Sequence, residues 1–264
     1  MEPSLYYLSA ERRGRGFLKL SFLEDTLSSL GSFEIIFFPS FCRLCSVLLE
    51  SPGERQICSS CWNNIKPARM SLCISCGRFF EGDFDPHFCE SCLKEKPPYT
   101  RHRSCGQYTG KLKEIILLCK FHKMPLLAEG LAKFARDALK GEDALWWGLD
   151  AVVPVPLHPK RERERGYNHA QIIAKYLARF KEVKLCDKHL VKVKNVPPQM
   201  SLAMEDRKRS VKGAFAVKRG EELSHKVVLL VDDVFTTGST VKECSRLLIE
   251  AGAQEVRALT IAQA

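Results

Sequence analysis

Asp232 and Asp233 stand side by side, and Thr236, Thr237, Gly238, Ser239 and Thr240 follow within a few positions. Short hydroxyl side chains around a glycine, at the start of a helix, offer a phosphate several donors at once. Two neighbouring carboxylates add hard oxygen ligands, suited to a polyhydroxylated sugar or a hydrated Mg²⁺. A turn between a strand and a helix needs none of these groups for folding, so the cluster reads as a binding site for a phosphorylated sugar. A second set of residues is metal chemistry. Cys42-x-x-Cys45 and Cys58-x-x-Cys61 are followed by Cys73-x-x-Cys76 and Cys89-x-x-Cys92, the second foursome repeating the spacing of the first. Two tight knuckles bring four thiolates together, the donor set of a closed tetrahedral Zn²⁺ site. Disulfides are the alternative and require export. The expectation is against it, because Arg12, Arg13 and Arg15 precede an apolar stretch interrupted by Lys19, Glu24 and Asp25, unlike a secretory leader. Two structural zinc ions are therefore expected. Their ligands pair either sequentially or as an interleaved cross-brace. His87 is read as a surface residue, and Cys105, Cys119, Cys186 and Cys244 as buried small hydrophobes.

The elements that must position these groups can be read from periodicity. Val227 to Val231 is an unbroken apolar run, suited to a strand buried on both faces and ending where Asp232 and Asp233 begin. Val241, Cys244, Leu247, Leu248 and Ala251 mark the helix after the threonine-rich turn. Ala151 to Pro156 reads as a strand running into a shaped loop, followed by the charged run Lys160 to Arg165. Asn168 is placed to cap a helix with the apolar stripe Ile172, Ile173, Tyr176, Leu177 and Phe180. Gly110 to Lys123 and Pro125 to Lys140 are two further helices, the second opened by its proline. Leu190 to Val193 and Ala214 to Val217 are weak strands, and Val256 to Ile261 is the last one. Strands alternating with helices imply a mostly parallel sheet flanked by helices, with ligands at its carboxyl end.

Three segments are expected. Residues 1–40 form a helical piece on Phe17, Leu20, Leu23, Leu27 and Leu30; residues 41–96 form the cysteine module; residues 97–264 form the α/β domain, with Pro97-Pro98 at the boundary. A chain of 264 residues with 45% hydrophobic content can bury a real core, which excludes a disordered chain. No apolar run reaches membrane-spanning length. The net charge of +10 favours polyanionic partners, from pyrophosphate to nucleic acid.

The Val227 to Thr240 segment, VVLLVDDVFTTGST, resembles the 5-phosphoribosyl-1-pyrophosphate (PRPP) motif of type I phosphoribosyltransferases. Adding the double cysteine module and the segment Val153 to Asn168, the chain from about residue 38 resembles the competence protein F (ComF) family, bacterial proteins linked to DNA uptake. The resemblance implies a double zinc ribbon followed by a phosphoribosyltransferase-like domain. It implies that Asp232 and Asp233 lie at the ribose and at Mg²⁺, and that Thr236, Thr237, Gly238, Ser239 and Thr240 hold the 5′-phosphate. The loop from Pro156 to Lys160 would take pyrophosphate, with Arg161 and Arg165 as charged partners. A mobile loop carrying Gln199, Arg207, Lys208 and Arg209 would close over the site or meet nucleic acid. Where the family pattern carries an arginine and a threonine before Gln199, this chain has Lys192 and Val196. The implied partners are PRPP, single-stranded DNA and an uptake machinery such as a translocase, in the cytoplasm or at the inner face of the cell membrane. An active nucleobase phosphoribosyltransferase of nucleotide salvage and a PRPP-sensing regulator are the alternatives.

Overall fold

The computed structural model describes residues 39–49, 56–68, 72–80, 82, 85–195 and 211–264. The expected N-terminal helix, up to residue 38, and the segment with Val196, Gln199, Arg207, Lys208 and Arg209 lie outside the described residues. In chain order the elements are α1 (Ser59–Asn63), α2 (Glu90–Lys94), β1 (Arg101–Gln107), α3 (Gly110–Phe121), α4 (Pro125–Ala138), α5 (Asp143–Trp146), β2 (Ala151–Pro154), α6 (Pro159–Arg165), α7 (His169–Lys181), β3 (Lys184–Leu185), β4 (Leu190–Lys192), β5 (Phe215–Val217), a 3-10 turn (Gly220–Leu223), β6 (Val227–Phe235), α8 (Ser239–Glu250) and β7 (Glu255–Gln263). By compactness the chain divides into Met1–Ser59 and Ser60–Ala264.

Five strands form a sheet in the order β1-β7-β6-β2-β3, and every neighbouring pair is parallel. From β2 the chain moves outward to β3, while from β6 it moves the other way, to β7. The direction therefore reverses between β2 and β6, and the crevice at the carboxyl ends of these two strands is where a sheet of this kind takes its ligand. β4 and β5 depart from the expected parallel arrangement: they pair antiparallel as a separate two-stranded ribbon.

Two expectations need correction. β6 does not end at Val231. Its pairing with β7 continues through Asp232↔Thr260, Val234↔Ala262 and Phe235↔Gln263, so both carboxylates lie within the strand. The buried face of α7 is His169, Ala170, Ile173, Ala174, Leu177 and Ala178, while Phe180 is 48% exposed. The buried face is thus rotated from the expected stripe toward the alanines of α7. Asn168 does cap this helix, accepting from the Ala170 N–H at 3.0 Å. Cys105, Cys119, Cys186 and Cys244 are buried as expected, and His87 is exposed and stacks on Phe80 at 4.1 Å.

β1 went unread in the sequence, and its composition, Arg-His-Arg-Ser-Cys-Gly-Gln, explains why. It is nonetheless buried from His102 to Gly106. It is an outermost strand of the sheet, and its free side is closed by the chain that leads into and through the second cysteine set. The Ala68 N–H donates to Cys105 O at 3.0 Å and the His102 N–H to Ser75 O at 2.7 Å. An open strand edge is thereby covered. Cys73, Cys76, Cys89 and Tyr99 share one apolar core with Val153, Leu230, Phe235, Val241 and Ala258.

Candidate functional site

Adjacent residues of a strand point to opposite faces, and this separates the two carboxylates. Asp233 Oδ2 meets Lys120 Nζ, from the last turn of α3, at 2.9 Å, and it also accepts from Nε2 of His169, the first residue of α7. Arg165 Nη1 donates to the other ring nitrogen, His169 Nδ1, at 2.9 Å. Because arginine can only donate, Nδ1 is unprotonated, and the proton on Nε2 points at Asp233. His169 is therefore a neutral imidazole. Burial lowers its pKa in agreement, outweighing the pull of Asp233. Asp233 is held well below the usual carboxylate range: Lys120 and His169 overcome the cost of its burial.

Asp232 has different surroundings. Its Oδ1 accepts the Asp233 N–H at 2.8 Å. Burial, and then the negative charge of Asp233, push its pKa up to about 7, while the more distant Lys120 and Lys192 pull it down. One carboxylate of the pair is firmly ionised, and the other is poised near neutrality for want of a nearby cation. Sequence reasoning found both aspartates and missed Lys120 and His169. A lone lysine ending a helix and a lone histidine beginning one carry no spacing signal.

The turn after β6 brings the hydroxyl groups together. Thr237 Oγ1 and Ser239 Oγ lie 2.8 Å apart. Gly238 has φ +73°, and a Cβ there would stand 2.5 Å from the Phe235 ring, so only glycine fits. α8 begins at Ser239, whose N–H donates to Thr237 Oγ1 at 3.4 Å, so a hydroxyl of the turn meets the start of the helix. The expected pyrophosphate loop lies beside it, since β2 and β6 are paired with Pro154 opposite Val231. Asn168 Nδ2 fixes that loop by donating to Val155 O at 3.0 Å.

Of the basic residues expected here, Arg165 is tied to His169, Arg161 lies 4.0 Å from Glu164, and Lys160 is exposed. Pro156 lines a cleft of about 380 Å³ together with Lys188, Lys192, Lys218 and Arg219. Lys218 and Arg219 were not read as site residues, because they lie far from the loop in sequence and reach it only through the β4–β5 ribbon.

The cysteines form two clusters, Cys42, Cys45, Cys58, Cys61 and Cys73, Cys76, Cys89, Cys92, with the ligand atoms of each within 4.8 Å of one another. The pairing is sequential. Cys45 and Cys58 sulfurs are 3.6 Å apart, as are those of Cys76 and Cys89. A disulfide needs about 2.0 Å, whereas sulfurs at two corners of a zinc tetrahedron stand about 3.8 Å apart. In each cluster a main-chain N–H donates to a sulfur, Cys58 to Cys42 at 3.4 Å and Cys89 to Cys73 at 3.3 Å. Such donors favour the thiolate that a metal requires. The residues fit structural zinc at both sites.

Comparison with known proteins agrees with this geometry. A double zinc ribbon domain matches residues 35–93 and a phosphoribosyl transferase domain matches residues 122–264. The chain thus joins a zinc ribbon pair to a phosphoribosyltransferase-type sheet. It is 32% identical to competence protein F of Haemophilus influenzae over 80% of its own length and 92% of that protein's. It is also 32% identical to DNA utilization protein YhgH of Salmonella typhimurium, over 83% of this chain and 95% of that one. Competence protein ComFC of Streptococcus pneumoniae is 26% identical over 82% and 91% of the two chains. The chain belongs to the competence protein F family. Among the described residues no helix is long and apolar enough to cross a membrane.

Proposed function

We propose that this chain binds Mg-PRPP at the crevice between β2 and β6 and serves DNA uptake, in keeping with the competence and DNA utilization named in its relatives. The observation that carries the ligand reading is the split pair of carboxylates beside a hydroxyl-rich helix start. Asp233 Oδ2 is occupied by Lys120 and His169, so Oδ1 is the oxygen left for a ribose hydroxyl. Asp232 is costly as an anion in this place, and a cation beside it removes that cost. Asp232, the carboxylate without a close cation, suits Mg²⁺, which would neutralise the pyrophosphate of the donor. Thr236, Thr237, Ser239 and Thr240, with the first N–H groups of α8, face the 5′-phosphate, and Lys192, Lys218 and Arg219 supply positive charge beside the pyrophosphate loop. Transfer of the ribose to an acceptor would draw on the same groups, because charge develops on the departing pyrophosphate. The test is calorimetric titration with Mg-PRPP and with PRPP alone. Magnesium-dependent binding that releases about half a proton near pH 7, as the remaining protonated Asp232 ionises, supports the reading; no binding in either titration refutes it.

Single-stranded DNA is the second ligand. Its support is a groove of about 650 Å³ lined by Lys66, Lys111, Asn64, Gln107 and Thr109, on a chain of net charge +10. The Trp62 indole packs on Gly130, where a Cβ would stand 2.4 Å from the ring. Lys66→Glu with Lys111→Glu should weaken oligonucleotide binding and flatten its log–log salt slope by about 0.7 for each phosphate that the variant no longer neutralises. An unchanged slope removes the groove from the DNA path.

A further inference from the structure

The turn Ser75-Cys76-Gly77 of the second cysteine cluster is wrapped around one residue of β1. The His102 N–H donates to Ser75 O at 2.7 Å, and the His102 ring bonds Cys76 O through Nδ1, also at 2.7 Å. A Cβ on Gly77 would stand 2.4 Å from His102 O, so the turn lies directly on that peptide. The carbonyl of Cys76 can only accept, which places the proton on Nδ1. The neutral ring then accepts at Nε2 from the Thr260 hydroxyl, 2.9 Å away, and Thr260 Oγ1 lies 2.7 Å from Ser104 Oγ. On its other side the His102 ring stacks on Phe235, with centroids 4.1 Å apart and planes 20° from parallel. Phe235 immediately precedes the threonine-rich turn, two residues after Asp233, and its ring is the surface against which Gly238 is folded.

We propose that His102 and Phe235 are positioning residues through which the second zinc site, and not the first, holds the Thr236–Thr240 turn in its binding conformation. This rests on the reading of that turn as a phosphate cradle. The path contains few atoms. A zinc ligand's own carbonyl orients a buried ring, the ring supports Phe235, and Phe235 sets the left-handed turn at Gly238. Each link is buried, so a shift at one end has no solvent-filled space in which to dissipate. His102 acts through Phe235.

The test uses the zinc-loaded full chain, with two readouts: hydrogen exchange of residues 235–240 and calorimetry with Mg-PRPP. Phe235→Leu keeps apolar volume but loses the stack, and His102→Gln keeps a donor for Cys76 O but cannot stack. Both should retain their zinc, show faster exchange confined to 235–240, and bind Mg-PRPP about three- to tenfold more weakly, the range expected for removal of one aromatic pair. Cys92→Ser, at the least buried ligand of the second site, should raise exchange of the same segment, while Cys45→Ser at the first site should leave it unchanged. Unaltered exchange and affinity in both Phe235→Leu and His102→Gln overturn the proposal. So does a rise in exchange spread evenly over β6 and β7, or an equal response to Cys45→Ser. If the wild-type chain binds no PRPP, the cradle reading fails separately, and the exchange of 235–240 in the four variants alone decides the positioning role.

Discussion

Residues 41–61 and 72–92 repeat each other at an offset of 31 positions, down to individual hydrogen bonds. Ser46 N–H donates to Cys42 O and Gly77 N–H to Cys73 O, both at 2.9 Å, and Cys42 N–H reaches Val47 O as Cys73 N–H reaches Arg78 O. The flanking bridges Phe41↔Leu48 and Leu72↔Phe79 correspond as well. The two knuckles differ at the left-handed position that closes the first turn. Ser46 has φ +59° and Gly77 φ +62°. A serine is tolerated in the first, whereas in the second the space of a Cβ is taken by His102 O. In the first cluster Cys45 is exposed, while its counterpart Cys76 belongs to the core of the parallel sheet. Identical metal chemistry has thus been put to different uses. The second ribbon is part of the same compact unit as the parallel sheet, residues 60–264, and covers the edge of that sheet.

The largest test of that difference is removal of one ligand from each site. Cys76→Ser should lose one zinc and cost about 3–5 kcal/mol, because a metal site inside a core carries folding energy. The melting transition of the α/β unit should fall by roughly 10 °C. Cys45→Ser should also lose one zinc but move that transition by less than about 2 °C. Equal shifts would erase the comparison.

A somewhat smaller effect lies in the site that the second ribbon supports. The pKa of Asp232 is raised to about 7, so its ionisation opposes folding. The penalty is absent below the unfolded carboxylate pKa of about 3.9, grows as pH rises from there, and is complete above pH 7. Asp232→Asn should therefore be more stable than wild type by about 2–4 kcal/mol at pH 8, with the gap closing toward pH 4. Urea unfolding at several pH values measures this, and a gap independent of pH would contradict the assigned environment. Smaller again is an exchange of the two turn residues. Gly77→Ser should cost about 2 kcal/mol through its clash with the His102 peptide, whereas Ser46→Gly should stay within about 0.5 kcal/mol of wild type.

Those elements that announce themselves by local pattern were legible in the sequence. The apolar run of β6, the proline that opens α4, the Asn168 cap and the cysteine knuckles each depend on neighbours within a few residues. β1 was not legible, because the burial of His102, Arg103 and Ser104 is compensated by distant groups. Thr260 answers His102 and Ser104, and Glu142 answers Arg103, with Nε to Oε2 at 2.9 Å. The candidate site divides in the same way. Its carboxylates and hydroxyls are contiguous and could be read, while Lys120, His169, Lys218 and Arg219 arrive by the fold. Even the aspartates were read as a matched pair. Only the continuation of β6 past Val231 turns them to opposite faces and gives them opposite pKa shifts.

The most direct test of the ligand assignment is a calorimetric titration of Mg-PRPP into the wild-type chain and into Asp232→Asn/Asp233→Asn. The double variant keeps the shape of both side chains and removes both charges. Saturable binding to the wild type, with no detectable binding to a folded double variant that retains both zinc ions, is the predicted result. Equal affinity in the two proteins, or a wild-type chain that binds no PRPP at all, would contradict it.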